Sequence, residues 1–192
     1  VISLVGLKLH TKYVLYSYLN AYCIFLGISL CSLFYVMIQF LFRSGWGTTM
    51  RRIPEHMMNN IGLMGIFTIP IILGTEQIFK WAKPGLIATD HLLHIKAPYL
   101  NETFFIIRTI VYFFIWISLT RYFYKKSIEQ DHTGGLVNTS RLQTIAAPGI
   151  LIFALTFTFA AFDYQMSLDF HWFSTIFGVY VFGNSISTVL VA

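Results

Sequence analysis

The sequence is poor in charge. Only 11% of its 192 residues are Asp, Glu, Lys or Arg, whereas 56% are hydrophobic, and a soluble domain carries about 25% charged residues. A chain of this length needs a polar surface in water, but it needs none in lipid. The scarcity of charge therefore excludes a soluble globular domain and indicates an integral membrane protein.

Residues that hold redox centres or metals are also scarce. The two cysteines, Cys23 and Cys31, lie in one predicted helix about 12 Å apart along its axis, too far for a disulfide. Two cysteines cannot hold an iron–sulfur cluster, and none of the six histidines falls in the middle of a predicted span, as a haem ligand would. His91 and His94 lack a clear third and fourth metal ligand, so a solvated loop is the simpler interpretation. We therefore expect this chain to bind no metal or redox cofactor of its own.

Long uncharged runs predict the membrane spans. The run between Arg141 and Asp163 contains 21 uncharged residues, and a helix of about 31 Å matches a hydrocarbon core of about 30 Å. Backbone groups in lipid must be paired internally, and the alternating ten-residue segments of a barrel are missing, so the spans are helices. Pro70 is expected to kink the second span. The prediction is an all-α polytopic transmembrane bundle with about five spans, at approximately 13–42, 57–79, 103–122, 142–162 and 170–192.

The chain is expected to be part of a longer subunit. Its first residue is Val1 rather than methionine, and the last apolar stretch reaches Ala192. We therefore expect residues 1–192 to form a single integral membrane domain that is truncated from a longer protein.

Charge is distributed unevenly between the two ends of the predicted bundle. The loops after the first and third helices hold seven basic and three acidic residues, a net charge of +4, whereas the opposite end holds five of each. We call these the basic end (43–55 and 121–141) and the mixed end (8–12, 76–108 and 163–171), with Arg108, which lies inside the third span, left out of the mixed-end count. By the positive-inside rule the basic end is expected in the cytoplasm. The same rule explains the overall charge of +5 without nucleic-acid binding, for which no basic helix is present.

Unusual ionisable groups gather at the mixed end. Glu76 ends the second predicted helix, Glu102 precedes the third, and Arg108 lies about one and a half turns further into the membrane. Such groups at membrane depth are costly, and they are usually paired or functional. For Arg108 two interpretations stay open: a structural tie to Asp163 or Glu102, or a place in a functional site.

Asp163 and His171 flank one short hairpin, and for them the functional interpretation is favoured. A carboxylate and an imidazole can accept the protons of a hydroxylated substrate. Asp169 is expected to cap the N-terminus of the fifth helix, which would place His171 in the first helical turn. A histidine there tends to stay neutral and able to accept a proton. Simple capping is the expected role of Asp169 itself.

Four collinear blocks of the sequence belong together: AFDYQMSLDFHWFSTIFGVYVF (Ala161–Phe182), RSGWGTTMRRIPE (Arg43–Glu55), HIKAPYLNETFFIIR (His94–Arg108) and the pair Gln130–Asp131. Together they resemble the larger NrfD-like (polysulfide-reductase-type) membrane subunit of alternative complex III. The resemblance covers most of the chain from about Leu15 onward. One position departs from the family pattern, because Phe170 stands where the family usually has proline, which suits the first helical position after a cap.

The resemblance implies a bacterial quinol:cytochrome c (or other electron-acceptor) oxidoreductase in the inner (cytoplasmic) membrane. The subunit would have ten helices, built from two four-helix bundles plus extra helices, of which this chain supplies about half. The implied partners are a homologous membrane subunit, a multihaem cytochrome c, an iron–sulfur protein and small membrane-anchored subunits. Haem c and iron–sulfur clusters would reside in those partners. In the smaller homologous subunit an Asp and a His are assigned to the quinol site, and they correspond here to Asp163 and His171.

Three functions remain open from the sequence. The first is a quinol-facing subunit in which Asp163 and His171 receive protons from menaquinol or ubiquinol while electrons pass to a partner. The second is a proton-translocating subunit that uses Glu76, Arg108 and Asp163 as relay groups without bound quinone. The third is a structural scaffold or transporter-like protein, although broken helices at mid-membrane are few. In the first two cases the chain is a subunit of an oxidoreductase complex and is not expected to be catalytic alone.

Overall fold

The computed structural model describes residues 2–45, 50–83, 85, 90–133 and 136–191, with side chains described from residue 12 onward except 132–138. Residues 46–49 of the Arg43–Glu55 block lie outside this description. The regular structure within these ranges is helical and includes no strand, so the predicted all-α class is confirmed. The α-helices are α1 (Ile2–Leu41), α2 (Arg52–Asn59), α3 (Ile61–Phe67), α4 (Ile69–Leu73), α5 (Thr75–Ile78), α6 (His91–Lys96), α7 (Glu102–Thr133), α8 (Leu136–Tyr164) and α9 (Phe177–Val191).

Four helical stretches of the described chain are long and apolar enough to cross a membrane. Their length and hydropathy characterise a multi-pass membrane protein. The last helix, α9, is apolar but has only 15 residues, about 22 Å of rise. It begins at Phe177, seven residues after the predicted start at 170. The four stretches are Lys12–Leu41, Arg52–Leu73, Glu102–Asp131 and Thr139–Leu168.

The second stretch is interrupted next to Pro70. Its helix α3 ends at Phe67, and α4 begins two residues later with Pro70 as its second residue. Proline has no N–H and therefore removes a helical hydrogen bond. Two tyrosines of α1 supply polar contacts at the break: the Tyr18 hydroxyl donates to the Phe67 carbonyl at 2.7 Å, and the Tyr22 hydroxyl lies 2.6 Å from Thr68 Oγ1. These bonds satisfy polar groups where the helical ladder is broken.

Helix α1 lies at the centre of the bundle, where it packs against α2, α8 and α9, while α7 packs against α3 and α8. Lipid tails are as apolar as these side chains, so close packing and interhelical hydrogen bonds hold the helices together. An aromatic contact joins α1 to α9, with the rings of Phe34 and Phe182 4.9 Å apart. The buried Trp116 of α7 donates from Nε1 to Thr156 Oγ1 of α8 at 2.9 Å.

Gly178 sets the distance between α8 and α9. A Cβ atom at this position would lie 2.7 Å from Thr158 Cγ2 and 3.2 Å from Thr158 Cα, so the helices could not keep their spacing. We expect Gly178→Ala to lower the free energy of unfolding by about 1–3 kcal/mol through overpacking. Thermal unfolding of the purified protein in detergent measures the effect.

Gly183 of the same helix is the matched control. A Cβ there would meet no atom within 4 Å, and alanine is a better helix former than glycine by about 1 kcal/mol. Gly183→Ala should therefore keep or raise the unfolding temperature. Equal losses for both variants would contradict the assigned packing of α8 and α9.

Candidate functional site

A buried ion pair joins α7 to α8 at the mixed end. Arg108 Nε lies 2.8 Å from Asp163 Oδ2, and Arg108 Nη2 lies 2.9 Å from Asp163 Oδ1. The side chains are 9% and 1% exposed, and the two parallel bonds form a bidentate guanidinium–carboxylate contact. Of the two partners considered for Arg108, the structure selects Asp163, because Glu102 is exposed at the start of α7.

Three aromatic side chains surround this pair. The Tyr112 hydroxyl donates to Asp163 Oδ2 at 2.9 Å, and Arg108 Nη1 donates to the Tyr99 carbonyl oxygen at 2.9 Å. The guanidinium carbon lies 3.9 Å from the centre of the Tyr99 ring and 4.4 Å from that of Phe104. The cation is therefore held by a carboxylate, a carbonyl and two ring faces, which compensates for its removal from water.

A cavity of about 430 Å³ lies beside the pair. Its walls come from α6, the residues that follow α6, the end of α8 and the segment 166–173. Eight of the twelve lining residues are apolar, and the four polar ones are Lys96, Tyr99, Ser167 and His171. An apolar cavity of this size with a few polar groups is typical of a small-molecule site.

Two residues of the cavity wall connect it to the ion pair. Tyr99 lines the cavity. The Arg108 guanidinium stacks on the Tyr99 ring and donates a hydrogen bond to the Tyr99 carbonyl oxygen. Ser167 also lines the cavity and donates to the backbone oxygen of Asp163 at 2.6 Å. The Asp163 side chain is almost wholly enclosed and is not part of the lining. The ion pair thus lies behind the wall of the cavity.

His171 lies in the cavity wall and is joined to Asp90, which precedes α6. His171 Nε2 is 2.9 Å from Asp90 Oδ2, while His171 Nδ1 is 3.8 Å from Asp169 Oδ1. Nearby, Lys96 Nζ donates to the Phe170 carbonyl at 2.7 Å. These contacts hold α6 against the segment 166–173 and so close one side of the cavity. Within the described residues no hydrogen bond or ion pair joins His171 to Asp163.

The prediction that Asp169 caps the fifth helix was wrong. Helix α9 begins at Phe177, and the Asp169 carboxylate instead accepts from the backbone N–H of His171 at 3.2 Å within a turn. The reason lies in Phe170, which is only 4% exposed and is inserted into the cavity wall. Burial of this ring holds the chain in a turn, so His171 does not stand in a helical first turn.

Glu76 and the loop histidines are separate from this arrangement. Glu76 lies exposed in the short helix α5, does not line the cavity, and forms no ion pair among the described residues. His91 and His94 are exposed on α6. In the part of the chain that the structure describes, no group of three or more His, Cys, Asp or Glu side chains is arranged to hold a metal ion.

A second polar cluster at the basic end was not singled out from the sequence. Glu55 is fully buried, and its carboxylate lies 3.1 Å from Arg51 Nε, 2.5 Å from Arg52 Nη1 and 2.5 Å from Ser127 Oγ. Both arginines also contact Asp131. The spacing of the arginines three and four residues before Glu55 is the sequence signal that favours such pairs on a helix. The cluster ties α2 to α7.

No family model matches the chain, and no curated protein matches it. The fold and site define an all-α, multi-pass membrane protein with a buried ion pair beside an apolar cavity. The resemblance to NrfD-like subunits stays a prediction based on the sequence blocks.

Proposed function

We propose that the chain is an integral membrane subunit of a respiratory quinol:electron-acceptor oxidoreductase of the alternative complex III type. The cavity at the mixed end would take the ring of the quinol. The observation that carries the proposal is the composition of the cavity wall: mostly aromatic and aliphatic, with His171, Lys96 and Tyr99 as polar groups.

The chemistry of a quinol fits these surroundings. Its ring is flat and apolar, and Phe159 and Phe162 offer aromatic surface for contact. The ring carries oxygens that need hydrogen-bonding partners when they leave water. His171 can take a quinol proton, because the Asp90 carboxylate at 2.9 Å orients its imidazole and stabilises the charge that forms.

Electrons from the quinol would pass to partner subunits. The proposed partners are a homologous membrane subunit, a multihaem cytochrome c, an iron–sulfur protein and small membrane-anchored subunits, and they would carry haem c and iron–sulfur clusters. The substrate would be menaquinol or ubiquinol. We place the assembly in a bacterial cytoplasmic membrane with the basic end inside, in keeping with the charge difference between the two ends.

The contacts of Asp163 disfavour a proton relay through it and equally disfavour the predicted uptake of a quinol proton by it, so the quinol site that we propose uses His171 without Asp163. Its two oxygens already accept three bonds, two from Arg108 and one from Tyr112. Proton uptake would weaken each of these bonds, so the pair supports the cavity wall better than it carries protons. Among the described residues no ion pair links the exposed Glu76 to Arg108 or Asp163, so the predicted relay lacks a contact between its members.

The test compares two histidines of the mixed end. In His171→Gln the amide can still bond Asp90 but cannot take a proton, so quinol oxidation by the assembled complex should fall by about 100-fold or more. The control is His94→Gln, because His94 is exposed on α6 and does not line the cavity. Steady-state rates with a short-chain quinol measure both. Equal rates for His171→Gln and wild type would overturn the proposal.

A further inference from the structure

The carboxylate of Asp90 makes different contacts with its two oxygens. Asp90 Oδ1 accepts from the backbone N–H of Leu92 at 2.9 Å and of Leu93 at 3.3 Å, so this oxygen caps the N-terminus of α6. Asp90 Oδ2 lies 2.9 Å from His171 Nε2. Because the cap fixes the carboxylate, Oδ2 is held in place as an acceptor for the imidazole. One side chain therefore joins the start of α6 to His171.

The other end of α6 holds the backbone next to His171. Lys96, the last residue of α6, donates from Nζ to the Phe170 carbonyl oxygen at 2.7 Å. The Phe170 side chain is buried, and the Asp169 carboxylate accepts from the His171 backbone N–H at 3.2 Å. The two ends of one short helix thus hold two consecutive residues, 170 and 171. This arrangement limits the motion of the imidazole before any ligand binds.

The two nitrogens of the His171 imidazole have different surroundings. Nε2 lies within hydrogen-bond distance of Asp90 Oδ2, whereas Nδ1 is 3.8 Å from Asp169 Oδ1, which is too long for a hydrogen bond. A neutral imidazole carries one proton, and a carboxylate only accepts, so the proton of the neutral form belongs on Nε2. Nδ1 is then the nitrogen that can take a second proton.

We propose that Asp90 is a positioning residue of the quinol site, which keeps the His171 proton on Nε2 so that Nδ1 receives the proton of the quinol. The inference rests on the proposed function, in which His171 is the base. One O–H bond of the quinol breaks, its electron pair stays on the quinol oxygen, and an N–H bond forms at Nδ1. The step moves a proton and no electron. Asp90 faces one nitrogen of the resulting imidazolium and Asp169 the other, so both carboxylates stabilise the cation.

Two substitutions at position 90 separate this role from the capping of α6. Asparagine and serine cap helices about as well as aspartate, so Asp90→Asn and Asp90→Ser should both unfold close to the wild-type temperature. The asparagine amide would cap with its oxygen and donate from its nitrogen to His171 Nε2, which moves the imidazole proton to Nδ1. Serine would cap with its single hydroxyl and leave the imidazole without this partner.

Steady-state quinol oxidation by the assembled complex measures the consequence. Asp90→Asn should lower kcat by about 100-fold, because the wrong tautomer removes the proton acceptor. Asp90→Ser should lower kcat by at most about 10-fold, since solvent screens the partly exposed pair that this variant loses. A loss in Asp90→Asn no larger than the loss in Asp90→Ser would overturn the positioning role.

Nitrogen-15 NMR of the full-length protein in lipid nanodiscs, labelled at histidine, reads the tautomer without turnover. The His171 signal is the one that is missing from His171→Gln. At a pH where the imidazole is neutral, the wild type should carry the proton on Nε2, and Asp90→Asn should carry it on Nδ1. A wild type with the proton on Nδ1 would overturn the inference, and this spectrum decides even where a variant does not fold.

The two measurements keep the inference apart from the proposed function. If the wild type holds its proton on Nδ1 while His171→Gln loses quinol oxidation, the assignment of the nitrogens is wrong and the quinol site stands. If the wild type holds its proton on Nε2 while His171→Gln oxidises quinol at the wild-type rate, the proposed function is overturned and His171 receives no quinol proton.

Discussion

Replacement of Asp163 by Leu should lower the free energy of unfolding by about 3–5 kcal/mol, the largest single effect that the structure predicts. The substitution leaves the Arg108 guanidinium buried without its carboxylate, and it also removes the acceptor of the Tyr112 hydroxyl. An unpaired buried charge costs more than the pair contributes. Equilibrium unfolding of the purified protein in mixed micelles measures the loss.

The double variant Arg108→Met, Asp163→Leu separates two causes of the lost stability: the unpaired charge of Arg108 and the changed shape of the side chain at position 163. Without either charge, most of the lost stability should return, because apolar side chains of similar volume can replace a buried ion pair. Glu102→Gln is the control, since Glu102 is exposed one and a half turns before Arg108, and its effect should stay within about 0.5 kcal/mol. A cost below about 1 kcal/mol for Asp163→Leu, typical of an exposed pair, would contradict a buried tie between α7 and α8.

Replacement of Glu55 by Gln should have the second largest effect, a loss of about 2–3 kcal/mol. Glu55 is fully buried and is the shared partner of Arg51, Arg52 and Ser127. Glutamine keeps the volume but removes the charge. Asp131 remains in contact with both arginines, so the cost is smaller than for Asp163. The same unfolding measurement applies.

Glu129→Gln is the control at the same end of the bundle. Its carboxylate lies 2.7 Å from Lys126 Nζ and is 43% exposed, so solvent screens the pair and its loss should cost at most about 1 kcal/mol. Comparable losses of unfolding free energy for Glu55→Gln and Glu129→Gln would contradict the prediction that burial makes the contacts of Glu55 stronger than those of an exposed carboxylate.

The all-α class could be predicted from the sequence because lipid allows few alternatives. A backbone in hydrocarbon must satisfy its own hydrogen bonds, so an uncharged run such as 142–162 is a helix whatever it packs against. The prediction needed only length and hydropathy. The break beside Pro70 was also predictable, because the missing N–H is a local property of that residue.

The start of α9 could not be predicted in this way. Asp169 followed by an apolar run is a good capping sequence, and local preference favours a helix at that point. The structure instead buries Phe170 in the cavity wall, and a tertiary contact of this kind has no local signal. The contact between His171 and Asp90 is likewise invisible in the sequence, because the two residues lie far apart along the chain.

The candidate site was predicted in part. The gathering of ionisable groups at the mixed end located the region, and Arg108 with Asp163 was one of the alternatives considered. Glu76 shared that charge pattern, but it is exposed in α5 and does not line the cavity. Tyr99 carried no signal at all, since one tyrosine among 11 is distinguished only by its surroundings.

Photo-crosslinking with an azido-quinone in native membranes tests the central claim most directly. The label, mapped by mass spectrometry, should attach within 92–100 and 159–173, the segments that contribute the cavity lining, and excess unlabelled quinone should prevent it. Labelling of partner subunits alone, or of this chain only at the basic end, would contradict a quinol site in this cavity.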